Sequence, residues 1–182
     1  MAGGTGRALS QAASAPISLP PFANSSMDGY AVASADLAGA DSAAPVDLAV
    51  AEVVPAGHVA SRALRGGEAM RIMTGAMLPT GADAVVPFED CERLERAGSE
   101  RARFTRPAHS GDNIRPAGRD VRAGELVLEA GRELSAHDLA LLGALGFSSA
   151  RVTCRARVAV LSTGDELVEL GEPLFPGAIY DT

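Results

Sequence analysis

Short apolar runs cut by glycine and proline dominate this chain, and one stretch alone changes to a helical period. Val46–Val54 puts Val46, Leu48 and Val50 at every second position, the alternation of a half-buried strand. Pro55-Ala56-Gly57 reads as a turn after it. Met70–Thr74 and Ala84–Pro87 predict two further strands, the second closed by its proline. Arg101–Arg106 alternates Arg with Ala, Phe and Thr, which fits a strand with one solvated face. Another strand begins within Ala31–Ala33. Pro16, Pro20 and Pro21 hold the chain extended around Ile17–Phe22 and exclude a helix there. Taken together, Pro45–Val121 reads as a small β-rich unit, a barrel or a sandwich.

The period changes at Ser135. Leucines at 134, 139, 141, 142 and 145 have helical spacing over Ala136–Leu145. Ser135 is placed to cap that helix, Asp138 to cap reciprocally from the third position, and Gly146 to stop it. Strand character returns at Val152. Arg157–Leu161 is a short apolar β run leading into Ser162-Thr163-Gly164-Asp165-Glu166-Leu167, the way an open α/β sheet presents its ligand edge. At the other end, Met1–Ala15 is small and polar, loose or locally helical around Arg7–Ala13. Pro176–Thr182 has the look of a functional loop, yet one strand and one loop do not bury a parallel sheet. The reading therefore expects a fragment in preference to a chain completed by a partner. There are no internal repeats.

Composition narrows the classes. With 182 residues the chain holds one ordinary domain or two small ones. Its 47% hydrophobic content supports a core, and 4% aromatics with no Trp makes that core Ala, Val and Leu. A net charge of -7 argues against a general nucleic-acid binder, which needs clustered cations. All 16 basic residues are Arg, so Schiff-base chemistry and a phosphate-binding P-loop lysine are excluded. Cys91 and Cys154 form no CxxC, so neither a disulfide framework nor a zinc site is expected and a reducing compartment is the default. No signal-peptide layout precedes Ser14, and no apolar run approaches the ~20 residues that span a bilayer. The expectation is a soluble, intracellular, acidic globular protein.

Four segments carry candidate chemistry. Asn24-Ser25-Ser26-Met27-Asp28-Gly29-Tyr30 is the densest, readable as a substrate-contacting turn in which Asp28 holds a cation or hydroxyl, or as a turn that satisfies its own backbone. Backbone N–H groups around Gly75 and Gly81, in Thr74-Gly75 and Leu78–Asp83, suit either an oxyanion cradle or plain strand connections. Arg115-Pro116-Ala117-Gly118-Arg119-Asp120 sets two guanidiniums beside a carboxylate, either to grip phosphate or as a solvated ion-pair loop. Asp165 and Glu166 follow Thr163-Gly164, as cation ligands or as the first turn of a capped helix. His58, His109 and His137 are isolated and read as surface or capping residues.

Four segments in order then carry a resemblance. Leu19–Val32, Arg71–Val86, Asn113–Glu125 and Arg157–Leu167 resemble the motifs of the MoeA/gephyrin E-domain family, the molybdopterin molybdenumtransferases, and Pro176–Thr182 resembles the family's next loop. The departures are three. Only the tail of the family's N-terminal helical segment is present, around Arg7–Ala13. Ala23 stands where a family turn often carries an acid. The chain ends early in the third domain.

That resemblance implies a mixed α/β, multi-domain architecture. An extended, discontinuous linker domain I covers 1–18 plus 123–155, a β-rich domain II is inserted at 19–122, and 156–182 begins a molybdopterin-binding α/β domain III. It implies a homodimer with the cleft between domain III of one subunit and domain II of the other. The implied reaction is Mg²⁺-dependent insertion of molybdate into adenylylated molybdopterin, with release of AMP, in the cytoplasm. Catalytic positions fall on Asp28, Thr74, Asp120 and Glu166, with Asp165 a less certain neighbour. Asp28, Asp120 and Glu166 are the metal ligands, and Ser26, Gly75, Arg115 and Arg119 bind substrate. A molybdopterin adenylyltransferase is an implied partner, while nucleic acid and membrane are not. The alternative is a non-catalytic dimerisation or scaffold fragment of the same family, lacking the pterin pocket.

Overall fold

Alternation along the chain becomes one six-stranded sheet. In the computed structural model, which describes residues 5–96 and 98–182, the chain divides into a unit ending at Val152 and a second, Thr153–Thr182. The strands of the first unit are β1 (Ala13–Ser14), β2 (Asn24–Ser25), β3 (Gly29–Val32), β4 (Val46–Val54), β5 (Glu68–Ile72), β6 (Ala84–Pro87), β7 (Cys91–Arg96), β8 (Ser99–Phe104), β9 (Ile114–Arg115) and β10 (Leu126–Leu128), followed by helix α1 (Ala136–Ala144). The main sheet runs β6-β3-β5-β4-β8-β7. Its pairs are antiparallel except β4 with β5.

Two clusters cover the two faces of this sheet. Tyr30, Val32, Leu48, Ala69, Ala84, Ala102 and Phe104 pack on one face. Ala31, Val54, Met70, Ile72 and Val85 pack on the other. Strand β3 lies between β5 and β6 and is buried on both faces, which is why Gly-Tyr-Ala-Val shows no polar alternation. The ladder of β4 on β5 shifts register between Val50 and Glu52. That extra residue turns Val54 to the face opposite Leu48, although the two share sequence parity.

The strand order is linear, with β6 and β7 at its edges, so the sheet is neither a closed barrel nor a sandwich. Yet only the 3₁₀ turn Phe88–Asp90 separates those two edges in sequence. Three residues span no more than roughly 10–14 Å, so the sheet has to curl until its edges approach. Tyr30 fills the curl. Its ring meets Phe88 edge-on at a centroid distance of 5.2 Å and Phe104 at 6.2 Å.

A third cluster joins the ends of the first unit. Leu9, Ala13, Leu128, Leu134 and Leu142 pack together, with β1 paired to β10. Helix α1 forms as its sequence predicts. Ser135 Oγ accepts from the Asp138 N–H, the Asp138 carboxylate accepts from the Ser135 N–H at 2.9 Å, and Gly146 leaves the helix at φ 86°. The Asp138 side chain is buried and also bound to Arg132. Hydrogen bonds from Ser135, then from Arg132, hold its carboxyl down at about 2. A depressed folded value adds stability that is complete above the unfolded carboxylate range and lost as pH falls toward 2. Thermal melts against pH should therefore show the wild type losing more of its melting temperature than Asp138→Asn between about pH 4 and pH 2. Parallel curves would remove Asp138 from the acid response. Ser135→Ala should cost about 1 kcal/mol at neutral pH.

One local expectation fails, the strand at Arg157–Leu161, and two open alternatives are decided against a helix. Arg7–Ala13 is not helical: Ala8 bridges Glu133, Leu9 bridges Val152, and Ala13 opens β1. Extended backbone wins because each of these segments has a partner strand and the leucine reaches a core. In the second unit, Arg157–Leu161 forms no strand, and Val158, Val160 and Leu161 stand more than four-fifths exposed. A strand exists only where neighbours pair with its backbone, and among the described residues none does. Thr163–Glu166 begins no helix but enters a turn before β11 (Leu167–Val168), which pairs in parallel with β12 (Ile179–Tyr180). Among the described residues no helix is long and apolar enough to cross a membrane.

Candidate functional site

Three motif segments meet at β2. Asn24 and Ser25 pair with Arg115 and Ile114 of β9, and Asn24 also bridges to Met77. The Ser25 carbonyl accepts from the Gly75 N–H at 2.8 Å, and the Ser25 N–H donates to Ala76 O at 3.1 Å. Ser26 donates both its N–H, at 2.9 Å, and its hydroxyl, at 3.0 Å, to the Asn113 carbonyl. The turn 24–29 is thus clamped from both sides by loops 46 and more residues away.

Asp28 is the centre of this clamp. Its Oδ1 accepts from the Thr74 N–H and from Thr74 Oγ1, each at 2.7 Å. These bonds are the main reason its carboxyl lies below the usual carboxylate range, with the charge of Arg71 adding to them. Oδ2 carries no hydrogen bond among the described residues. Asp28 is therefore an oriented, ionised, exposed carboxylate with one open oxygen. The Phe88 N–H donates to the Asp28 backbone carbonyl at 3.2 Å, which ties the turn to the end of β6.

This donor set suits a hard divalent cation in one respect. Mg²⁺ takes oxygen ligands and characteristically binds through one or two carboxylates, with phosphates and water completing its shell. Asp28 meets that requirement. Among the described residues no three carboxylate, thiol or imidazole groups gather into a protein-only cage.

The remaining sequence candidates separate. Asp120 Oδ2 accepts from Arg115 Nη2 at 2.8 Å, a half-exposed pair, so these two answer each other. The Arg119 side chain is exposed and makes no hydrogen bond or ion pair among the described residues. The N–H groups of Thr74 and Gly75 are both engaged, which removes them as an oxyanion cradle in this arrangement. Gly75 keeps φ 81° with open space beyond its Cα, so a ligand can approach the backbone there. Ser26 spends its hydroxyl on Asn113. Asp165 and Glu166 lie on an exposed turn of the second unit, where the Glu166 carbonyl accepts from the Ile179 N–H at 2.8 Å.

Two residues of this region escaped the sequence reading. Asn113 has φ 54°, and its Nδ2 donates to Val85 O at 2.9 Å, so it locks the loop that receives Ser26. Asn is among the few side chains that take this conformation readily, which was the available signal. Arg71 lies opposite Tyr30 on β5 with its guanidinium carbon 5.0 Å from the centre of the Phe88 ring. Its signal was a charge at the end of an apolar strand, on the parity of buried Ala69.

Comparisons with known proteins agree on one lineage. Residues 2–146 match the family model described as the MoeA N-terminal region, domain I and II. Molybdopterin molybdenumtransferase 2 of Mycobacterium tuberculosis is 45% identical over 92% of this chain and 40% of its own length. The molybdopterin molybdenumtransferase of Bacillus subtilis is 36% identical over 90% of this chain and 38% of its own. A crystal structure of a molybdopterin biosynthesis MoeA protein from Pyrococcus horikosii superposes with a TM-score of 0.87 at 41% identity, covering 99% of this chain and 45% of that one. The chain thus spans about 40% of the length of these curated relatives.

Proposed function

The chain belongs to the MoeA family through that N-terminal region, and from this membership we propose that it acts in molybdenum cofactor biosynthesis as the N-terminal part of a molybdopterin molybdenumtransferase. The proposed reaction inserts molybdate into adenylylated molybdopterin and releases AMP. The observation that carries this reading is the junction of Asp28 with Thr74, which joins two motif segments of the family around one ionised carboxylate.

In this proposal Asp28 is the Mg²⁺ ligand that this region presents, Asp120 and Glu166 are the further ligands that the family resemblance implies, and Thr74 fixes the face that Asp28 presents. Bound there, Mg²⁺ would neutralise phosphate charge and polarise the phosphate link to be broken. Asp28 contributes its open Oδ2. Asp120 contributes Oδ1, the oxygen that Arg115 leaves free. Arg115 and Arg119 attract the anionic substrates, and Ser26 and Gly75 shape the turn against which they rest. The same proposal takes 1–18 plus 123–155 as the linker domain, 19–122 as the β-rich domain and 156–182 as the start of the pterin-binding domain. It also takes the working unit as a cytoplasmic homodimer.

The direct test supplies the protein from its complete reading frame with adenylylated molybdopterin, molybdate and Mg²⁺. AMP release is followed by chromatography and metal uptake by mass spectrometry. Molybdate-dependent AMP release is expected, and its absence would reject the assignment.

A further inference from the structure

Arginine usage within the first unit is uneven in a way that the proposed reaction does not yet use. Of the half-buried arginines, Arg62, Arg103 and Arg115 each hold a carboxylate, Arg7 also has a partner, and Arg101, whose Nε is buried without one, still donates through Nη2 to the Asp47 carbonyl at 2.8 Å. Arg71 is half-buried too, but no oxygen of the described residues meets it. Its Nε is fully buried and has no hydrogen-bond partner. The group instead rests on a ring, 5.0 Å from the centroid of Phe88.

This position is built. Arg71 stands across the ladder from Tyr30, whose own ring abuts Phe88 at 5.2 Å. Phe88 is anchored through its N–H to the Asp28 carbonyl. The charge of Arg71 is felt at Asp28, yet no carboxylate oxygen of the described residues forms an ion pair with it. A guanidinium in this state has lost part of its hydration without gaining an acceptor, which is unfavourable unless a ligand supplies one. Its planar fork of donors matches the paired oxygens of a phosphate, and an aromatic face behind it fixes its plane.

We propose that Arg71 is a phosphate-binding residue of this site, its guanidinium held by Phe88 beside the Asp28–Thr74 junction and filled by an oxyanion of the substrate. The inference deepens the proposed function, because both the pterin phosphate and the adenylyl group present such oxygens. Asp28 opposes an incoming anion with its own charge, and Thr74 partly offsets that charge with two donors. Specificity for phosphate over a monoanion then comes from the fork and from the second negative charge.

The test needs no molybdenum and no turnover, so it is read separately from the transfer reaction. Inorganic pyrophosphate is titrated into the ¹⁵N-labelled 182-residue protein in metal-free buffer. The Nε–H signal of Arg71, assigned by its loss in Arg71→Gln, should shift with saturation. Pyrophosphate affinity by calorimetry should fall at least about 10-fold in Arg71→Gln, the scale of one lost charge-assisted bidentate contact. Arg71→Lys keeps the charge, loses the fork, and should lie between the two. Arg71→Lys also answers for a glutamine variant that fails to fold. Equal affinity in wild type and Arg71→Lys, an unmoved Nε–H signal, or no pyrophosphate binding by the wild type would each overturn the inference. Arg71 would then be only the cationic neighbour of Phe88.

Discussion

Asp28→Asn should lower molybdate-dependent AMP release by about 10²–10³ while leaving the melting temperature near that of wild type. Asparagine keeps the shape, and its carbonyl oxygen still accepts from the Thr74 N–H and hydroxyl that now meet Oδ1 at 2.7 Å. What it removes is the negative charge on an exposed group, so little packing is lost. A group that acts on charge developing in the transition state is worth about 10²–10³ in turnover, and a loss of that size is expected. Thr74→Val should have a smaller effect, about 10- to 100-fold, the range for groups that orient a ligand without being one. Steady-state assays of both variants at saturating Mg²⁺ distinguish these roles. Full activity in Asp28→Asn would remove the carboxylate from the chemistry, whatever the family of the chain.

The largest effect on stability is expected one residue later. A Cβ on Gly29 would run into the Val86 carbonyl and the backbone of Pro87. The obstacle is main chain of the paired strand β6, so no side-chain rotation relieves it. Gly29 has no positive φ, and the requirement is for space alone. Gly29→Ala must push β6 away from β3 or bend β3, and both faces of β3 are buried. Overpacking typically costs about 1–3 kcal/mol, and against unyielding main chain the upper end is expected, which lowers the melting temperature by roughly 10 °C in a chain of this size. Gly39→Ala is the matched control: nothing lies within 4 Å of its Cβ, and surface changes of that kind stay within about 0.5 kcal/mol. A wild-type melt for Gly29→Ala would show that the β3–β6 contact yields more easily than its geometry requires.

The site was partly legible before its geometry was known. Asn24–Tyr30 stood out by its side-chain oxygens, and Thr74 by its place in a second motif. Neither segment indicates by itself that Thr74 donates twice to Asp28, because that contact spans 46 residues. Arg71 was passed over for the same reason. A charged residue near the end of a strand reads as solvated until its cross-strand neighbour Tyr30 and the nearby ring of Phe88 are known. Ser26 shows the converse. Its hydroxyl, a candidate for substrate in the sequence, donates to the carbonyl of Asn113, a contact that its own segment does not announce.

Local physical chemistry, written in the order of residues, determined the capped helix at Ser135, the alternating strands β4 and β8, and the ordered motifs that identify the family. Each of these depends on neighbours within about one turn or one pleat. Only the tertiary structure decided which strands pair, that the register shift after Val50 sends Val54 to the other face, and that the edges of the sheet curl toward each other. It also decided that Arg157–Leu161, a short apolar run, is no strand at all. Periodicity states which face of a segment prefers to be buried. Backbone hydrogen bonds, and the distant residues that supply them, settle whether that face finds a partner.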